Sequence, residues 1–89
     1  MSINNVQITS KTDIESLIEH AIFEIPKLIS GEQFMVRDLF IGYEWNRLSN
    51  YIRAQVGAGF YHQYAKVDDI SQVAILDKSA RNQQLYRKK

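Results

Sequence analysis

Cysteine is absent from the 89 residues, which excludes a disulfide framework, thiolate chemistry and cysteine-based zinc sites together. Histidine is scarce. His20 and His62 are the only two and stand far apart, so no metal site is expected. Pro26 is the single proline, and no Pro/Gly-rich stretch divides the chain. No apolar run approaches the ~18 residues needed to cross a bilayer. The opening residues are polar and acid-bearing, unlike a secretory leader. A soluble cytoplasmic protein without cofactor is therefore expected. No Ser-His-Asp order, glycine-rich phosphate loop or pair of carboxylates in an apolar setting stands out, so catalysis is not expected either.

Hydrophobic residues make up 45% and charged residues 24%, a globular balance that argues against wholesale disorder. A chain this short builds one core and no second one. Net charge is only +1 but unevenly placed. Up to Gly31-Glu32-Gln33, Lys11 and Lys27 face five acids: Asp13, Glu15, Glu19, Glu24 and Glu32. From Phe34 onward nine bases face Asp38, Glu44, Asp68, Asp69 and Asp77. The final stretch carries Lys78, Arg81, Arg87, Lys88 and Lys89 with no acid, a polarity suited to an anionic partner on one face.

Residues 1–10 read as a flexible lead-in or a first short strand near Val6 to Ile8. Thr12-Asp13-Ile14-Glu15 reads as a capping box with Thr12 as the cap. Behind it Ile14, Leu17, Ile18, Ala21, Ile22 and Ile25 form one face of an amphipathic helix that Pro26 ends, with Glu15, Glu19 and His20 turned outward. Ser30-Gly31 marks a turn, and Phe34-Met35-Val36 a short strand. Arg37 to Phe40 suggests a short helix stopped near Gly42, and Tyr43 to Leu48 a connector. A longer helix is expected from Ser49 or Asn50 to about Ala65, with Ile52, Val56, Phe60 and Tyr64 as its seam. Gly57 and Gly59 inside it call for the close approach of another backbone. Gln72 to Leu76 and Gln83 to Tyr86 read as strands of a hairpin around residues 77–82, and Asp68-Asp69 as a cap or turn.

Helix, short strand, short helix, long helix and two-stranded hairpin give an α+β winged helix-turn-helix occupying residues 11–89. The expected core is Ile14, Leu17, Ile18, Ile22, Leu39, Ile52, Val56, Phe60 and Ile75.

Phe34-Met35-Val36-Arg37-Asp38-Leu39-Phe40 followed by Gly42-Tyr43-Glu44-Trp45-Asn46 resembles a small domain family of Gram-positive bacteria and their mobile elements. Arg53, Gly57 and Phe60 at helical spacing, and Asn82-Gln83-Gln84-Leu85-Tyr86 near the end, are similar to it as well. The resemblance covers about residues 30–88. Members in staphylococcal cassette chromosome elements resemble winged-helix proteins that bind single-stranded DNA beside replication genes. The resemblance implies single-stranded DNA binding in replication or maintenance of such an element, with replication proteins such as a helicase as partners; one small module covers few nucleotides, so several copies on one strand are expected.

The residues offer their own candidates for that role. Lys78, Arg81, Arg87 and Lys88 can neutralise phosphates. Arg47 and Arg53 flank the start of the long helix and can reach the strand or instead pair with Glu44 or Asp38. Tyr51 and Tyr86 stand among polar and basic residues and are the expected stacking platforms. An alternative from another class is a protein-interaction adaptor. It would bind no nucleic acid and hold a partner's apolar side chain in a pocket of Phe40, Tyr43, Trp45 and Phe60. A duplex-reading regulator is the third reading.

Overall fold

A computed structural model describes residues 8–67, 71–81 and 83–89. Helix α1 spans Ile14–Glu24 and leads into a 3₁₀ turn at Ile25–Lys27. Strand β1 is Gln33–Phe34, and a second 3₁₀ turn follows at Val36–Leu39. Helices α2 (Gly42–Asn46) and α3 (Asn50–Phe60) come next, α3 continuing as a π-helical turn over Tyr61–Ala65. Strands β2 (Val73–Lys78) and β3 (Gln84–Lys88) close the chain. The sheet is antiparallel with order β1-β3-β2, which makes β3 its central strand. The class is α+β, with three α-helices and a small three-stranded sheet among the described residues.

The cap of α1 differs from expectation by one residue. Asp13, not Thr12, accepts from the Ser16 amide at 3.3 Å and from the Ser16 hydroxyl at 2.7 Å. The hydrogen bond from the Ser16 hydroxyl holds the Asp13 carboxyl below its usual range. Thr12 Oγ1 instead accepts from the Thr9 amide at 2.9 Å. Pro26 ends the α-helical run as expected, and a turn with Gly31 at φ 94° carries the chain to β1. At α3, Ser49 is the cap and accepts from the Ile52 amide at 3.2 Å.

The segment expected as a connector contains α2. Nothing in α2 is fully buried, and its neighbour Ile41 and its own Tyr43 are exposed, so no apolar period announced it. The expected short helix is the single 3₁₀ turn that buries Leu39. Both hairpin strands run two residues further than expected, to Lys78 and Lys88. The Ser79 hydroxyl ties the turn between them, accepting from the Arg81 amide at 3.3 Å and the Gln83 amide at 3.2 Å.

Tyr86 is the hub of the core. It is 1% exposed, stacks on Phe34 at 5.6 Å and meets the edge of Phe60 at 5.2 Å. Leu17, Ile18, Leu39, Val56 and Phe60 are buried in the same cluster, and Ile14, Ile22 and Ile52 pack against it half-buried. Ile75 departs from the expected core: on the edge strand β2 it is 40% exposed. Ile8, from the expected lead-in, is buried, and its carbonyl accepts from Arg47 Nη1 at 2.7 Å. The suggested strand near Val6 and the Asp68-Asp69 turn lie outside the described residues.

Gly59 and Gly57 divide the expectation made for them. A Cβ on Gly59 would collide with the Ile18 side chain of α1, so the close approach is by a side chain rather than a backbone. A Cβ on Gly57 would meet nothing within 4 Å. Gly59→Ala is expected to lower stability by up to about 2 kcal/mol, overpacking against the buried Ile18 outweighing the gain in helix propensity. Gly57→Ala is expected to raise it by about 0.5–1 kcal/mol through helix propensity. Thermal melts followed by circular dichroism would show opposite shifts.

Candidate functional site

A groove of about 830 Å³ runs between α3 and the hairpin. One wall is the α3 face of Asn50, Arg53, Ala54, Gly57, Ala58 and Tyr61. Those positions recur at three- and four-residue spacing, so they share one side of the helix. The small residues in the middle leave the groove open. Lys78, Gln83 and Gln84 of the hairpin form the opposite wall, Met35-Val36-Arg37 and Trp45 close the sides, and Tyr86 reaches it from the core.

The charge of this groove depends on a β-bulge. Ile75 pairs with Tyr86, yet the next recorded partners are Lys78 and Gln84, so β2 has one residue more than β3 between them. Directly opposed residues share a face of the sheet. Unbroken register would set Asp77 opposite Gln84; the bulge sets Lys78 there instead. The Gln84 side-chain amide donates to the Leu76 carbonyl, holding the irregular stretch with a bond the ladder does not supply. Lys78 lines the groove and Asp77 does not. Three cations, Arg37, Arg53 and Lys78, and no carboxylate line it among the described residues.

Arg53 is half-buried and oriented. Its Nε donates to the Trp45 carbonyl at 3.2 Å, its Nη1 to Asn50 Oδ1 at 3.5 Å, and its guanidinium lies 5.8 Å from the Trp45 ring centre. A guanidinium has five donors, so several remain for an anion in the groove. Burial pushes the Tyr86 phenol up to about 12, with a smaller contribution from Tyr61.

Of the expected nucleic-acid residues, Arg53, Lys78 and Tyr86 are therefore brought together. Tyr86 is part of the core, so its ring is not the open stacking platform expected of it. Arg81 is exposed in the turn between the groove residues Lys78 and Gln83. Arg47 lies elsewhere, bonded to Ile8 and set 5.0 Å from the Tyr43 ring, and pairs with neither Glu44 nor Asp38. Tyr51 is 68% exposed outside the groove lining. Arg87 pairs with Gln33 and Ala74, so it sits on the sheet face opposite Tyr86. The main chain of Lys88 is pinned: its amide donates to the Glu32 carbonyl at 2.8 Å and its carbonyl accepts from the Gly31 amide at 2.7 Å.

The expected apolar pocket does not form as one cavity. Phe60 is fully buried, and Phe40 lines a separate cavity of about 460 Å³ with His20 and Asp38. Tyr43 lines neither cavity, and only Trp45 reaches the groove, its ring packed 5.1 Å from Phe40. The sequence does not single out Arg37 or Tyr61 for the site. For Tyr61 a signal existed: it falls on the same helical stripe as Arg53, Gly57 and Ala58. For Arg37 nothing local marks the fold-back that brings it to the hairpin.

No helix is long and apolar enough to cross a membrane among the described residues. No curated protein and no solved structure matches the chain. One family model does, over residues 19–88, and it takes in both groove walls, the bulge and the hairpin. By that match the chain belongs to the family described as a domain of unknown function, DUF1413.

Proposed function

We propose that the groove binds single-stranded nucleic acid, and that the protein is a winged-helix single-stranded DNA-binding protein of a mobile element serving its replication or maintenance. The observation that carries the reading is the lining itself: among the described residues, three cations, no carboxylate and the aromatic residues Trp45 and Tyr61. Cations along a groove track a phosphate backbone, and aromatic faces stack unpaired bases for about 1–3 kcal/mol each. A duplex keeps its base faces stacked inside, so this lining favours the single strand. The order of elements and the β1-β3-β2 sheet are compatible with a winged helix, with α3 as the recognition helix and the hairpin as the wing. Tyr61 takes the stacking role first expected of Tyr51 and Tyr86. Arg53 and Lys78 hold phosphates, with Arg37 added to them and Arg81 at the wing tip.

Fluorescence titration of oligothymidine and of duplex DNA of equal length, repeated over a salt series, tests this. Preference for the single strand, with affinity falling steadily as salt rises, is expected. Preference for the duplex would favour a major-groove reader. No binding even at low salt would favour a protein-interaction adaptor.

A further inference from the structure

The outer face of α1 has no partner among the described residues. Leu17, Ile18, Ala21 and Ile25 are buried, while Glu15, Glu19 and Phe23 follow at four-residue spacing on the exposed side. Phe23 is 45% exposed, with Lys27 Nζ 5.2 Å from its ring centre. Neither Glu15 nor Glu19 is ion-paired among the described residues; the salt bridge at this helix joins Lys27 to Glu24 at its far end. None of the three ridge residues lines the groove.

The molecule thus carries a convex acidic ridge ending in an aromatic ring, and separately a concave cation-lined groove with no acid on its walls among the described residues. Two carboxylates one helical turn apart can face successive cations, and the Phe23 ring offers an apolar face to Tyr61. We infer that the groove of one copy takes the α1 ridge of a second copy. Ridge and groove are different patches, so the contact is head-to-tail. It leaves a free groove at one end and a free ridge at the other, and it can repeat. Exposed ion pairs are weak and salt-screened, so the association is reversible and strongest at low salt. The docking stands on charge and shape alone. Its regulatory consequence rests on the nucleic-acid reading: a polynucleotide and the ridge compete for the same cations, so the strand releases the chained copies.

Sedimentation velocity on the full chain at low and high salt tests this. The wild type is expected to gain mass with concentration at low salt and to return to monomer at high salt. Glu15→Gln/Glu19→Gln and, separately, Arg37→Gln/Lys78→Gln should each be monomeric with unchanged melting curves. Their equimolar mixture restores one intact ridge and one intact groove, and should give a one-to-one complex and nothing larger. A wild type monomeric at low salt, or a mixture that stays monomeric, overturns the docking. Oligothymidine should dissolve the wild-type chains; binding that leaves them assembled overturns the shared groove. Chains that form without any oligothymidine binding would sink the nucleic-acid reading and leave the docking standing.

Discussion

Lys78→Glu is expected to weaken oligothymidine binding at least ~10-fold, with the salt slope lowered by about 0.7–1 for the lost phosphate contact. The melting curve should not move, because Lys78 is exposed and forms no ion pair among the described residues. The effect follows from the bulge, which sets a cation where regular pairing would set Asp77. Arg87→Glu supplies the control. It changes net charge by the same amount but on the outer face of the sheet, opposite Tyr86. It should cost far less affinity. Equal losses from the two variants would mean that binding responds to overall charge and not to the groove. Lys78→Ala with Arg81→Ala should act in the same direction as Lys78→Glu and more mildly.

Tyr86→Ala is expected to cost about 3–5 kcal/mol, the range for removing a large buried aromatic. A domain of this size holds roughly 5–15 kcal/mol in all, so the variant would lose a large share of its stability. The loss is large because one ring serves three elements: it stacks on Phe34 of β1, meets Phe60 of α3 and sits on the central strand. Tyr86→Phe keeps the ring and should remain folded. The phenol also sets an alkaline limit. Its folded value is raised to about 12 from an ordinary 10.0, so the folded chain favours the neutral form. That contribution is fully present below about pH 10 and is lost as pH climbs towards 12. Denaturant melts across this window should show falling stability. The decline attributable to this group should vanish in Tyr86→Phe.

These two side chains also show where the sequence was legible. Helix α1 could be read because its apolar residues recur every three to four positions and Pro26 stops it. The hairpin could be read from two apolar runs around a polar turn. The burial of Tyr86 could not, since its chain neighbours Arg87 and Lys88 suggest a surface. Its place was settled by β1, a two-residue strand far away in sequence, which makes β3 central. The charge of Lys78 marks it as a phosphate contact, but the bulge that puts it in the groove instead of Asp77 has no local signature. Helix α2 buries no residue completely and so left no period to find. Phe40, Tyr43, Trp45 and Phe60 are aromatic, but residue type alone does not fix where each ring is placed. The fold instead sends Phe60 to the core and Phe40 to another cavity.

Gly57 offers a separation of stability from binding. It lines the groove with open space beside it, so Gly57→Leu should stabilise α3 while filling the floor on which a base would lie. Higher melting temperature with lower affinity is the expected pairing, checked by circular dichroism and titration on the same preparation.

The central claim is that the α3–hairpin groove grips an unpaired strand. Amide chemical-shift mapping during titration with oligothymidine tests it most directly. The account predicts that the largest changes fall on Arg37, Arg53, Gly57, Tyr61, Lys78 and Gln84. Changes centred on Gln33, Ala74 and Arg87, on the opposite face of the sheet, would contradict it.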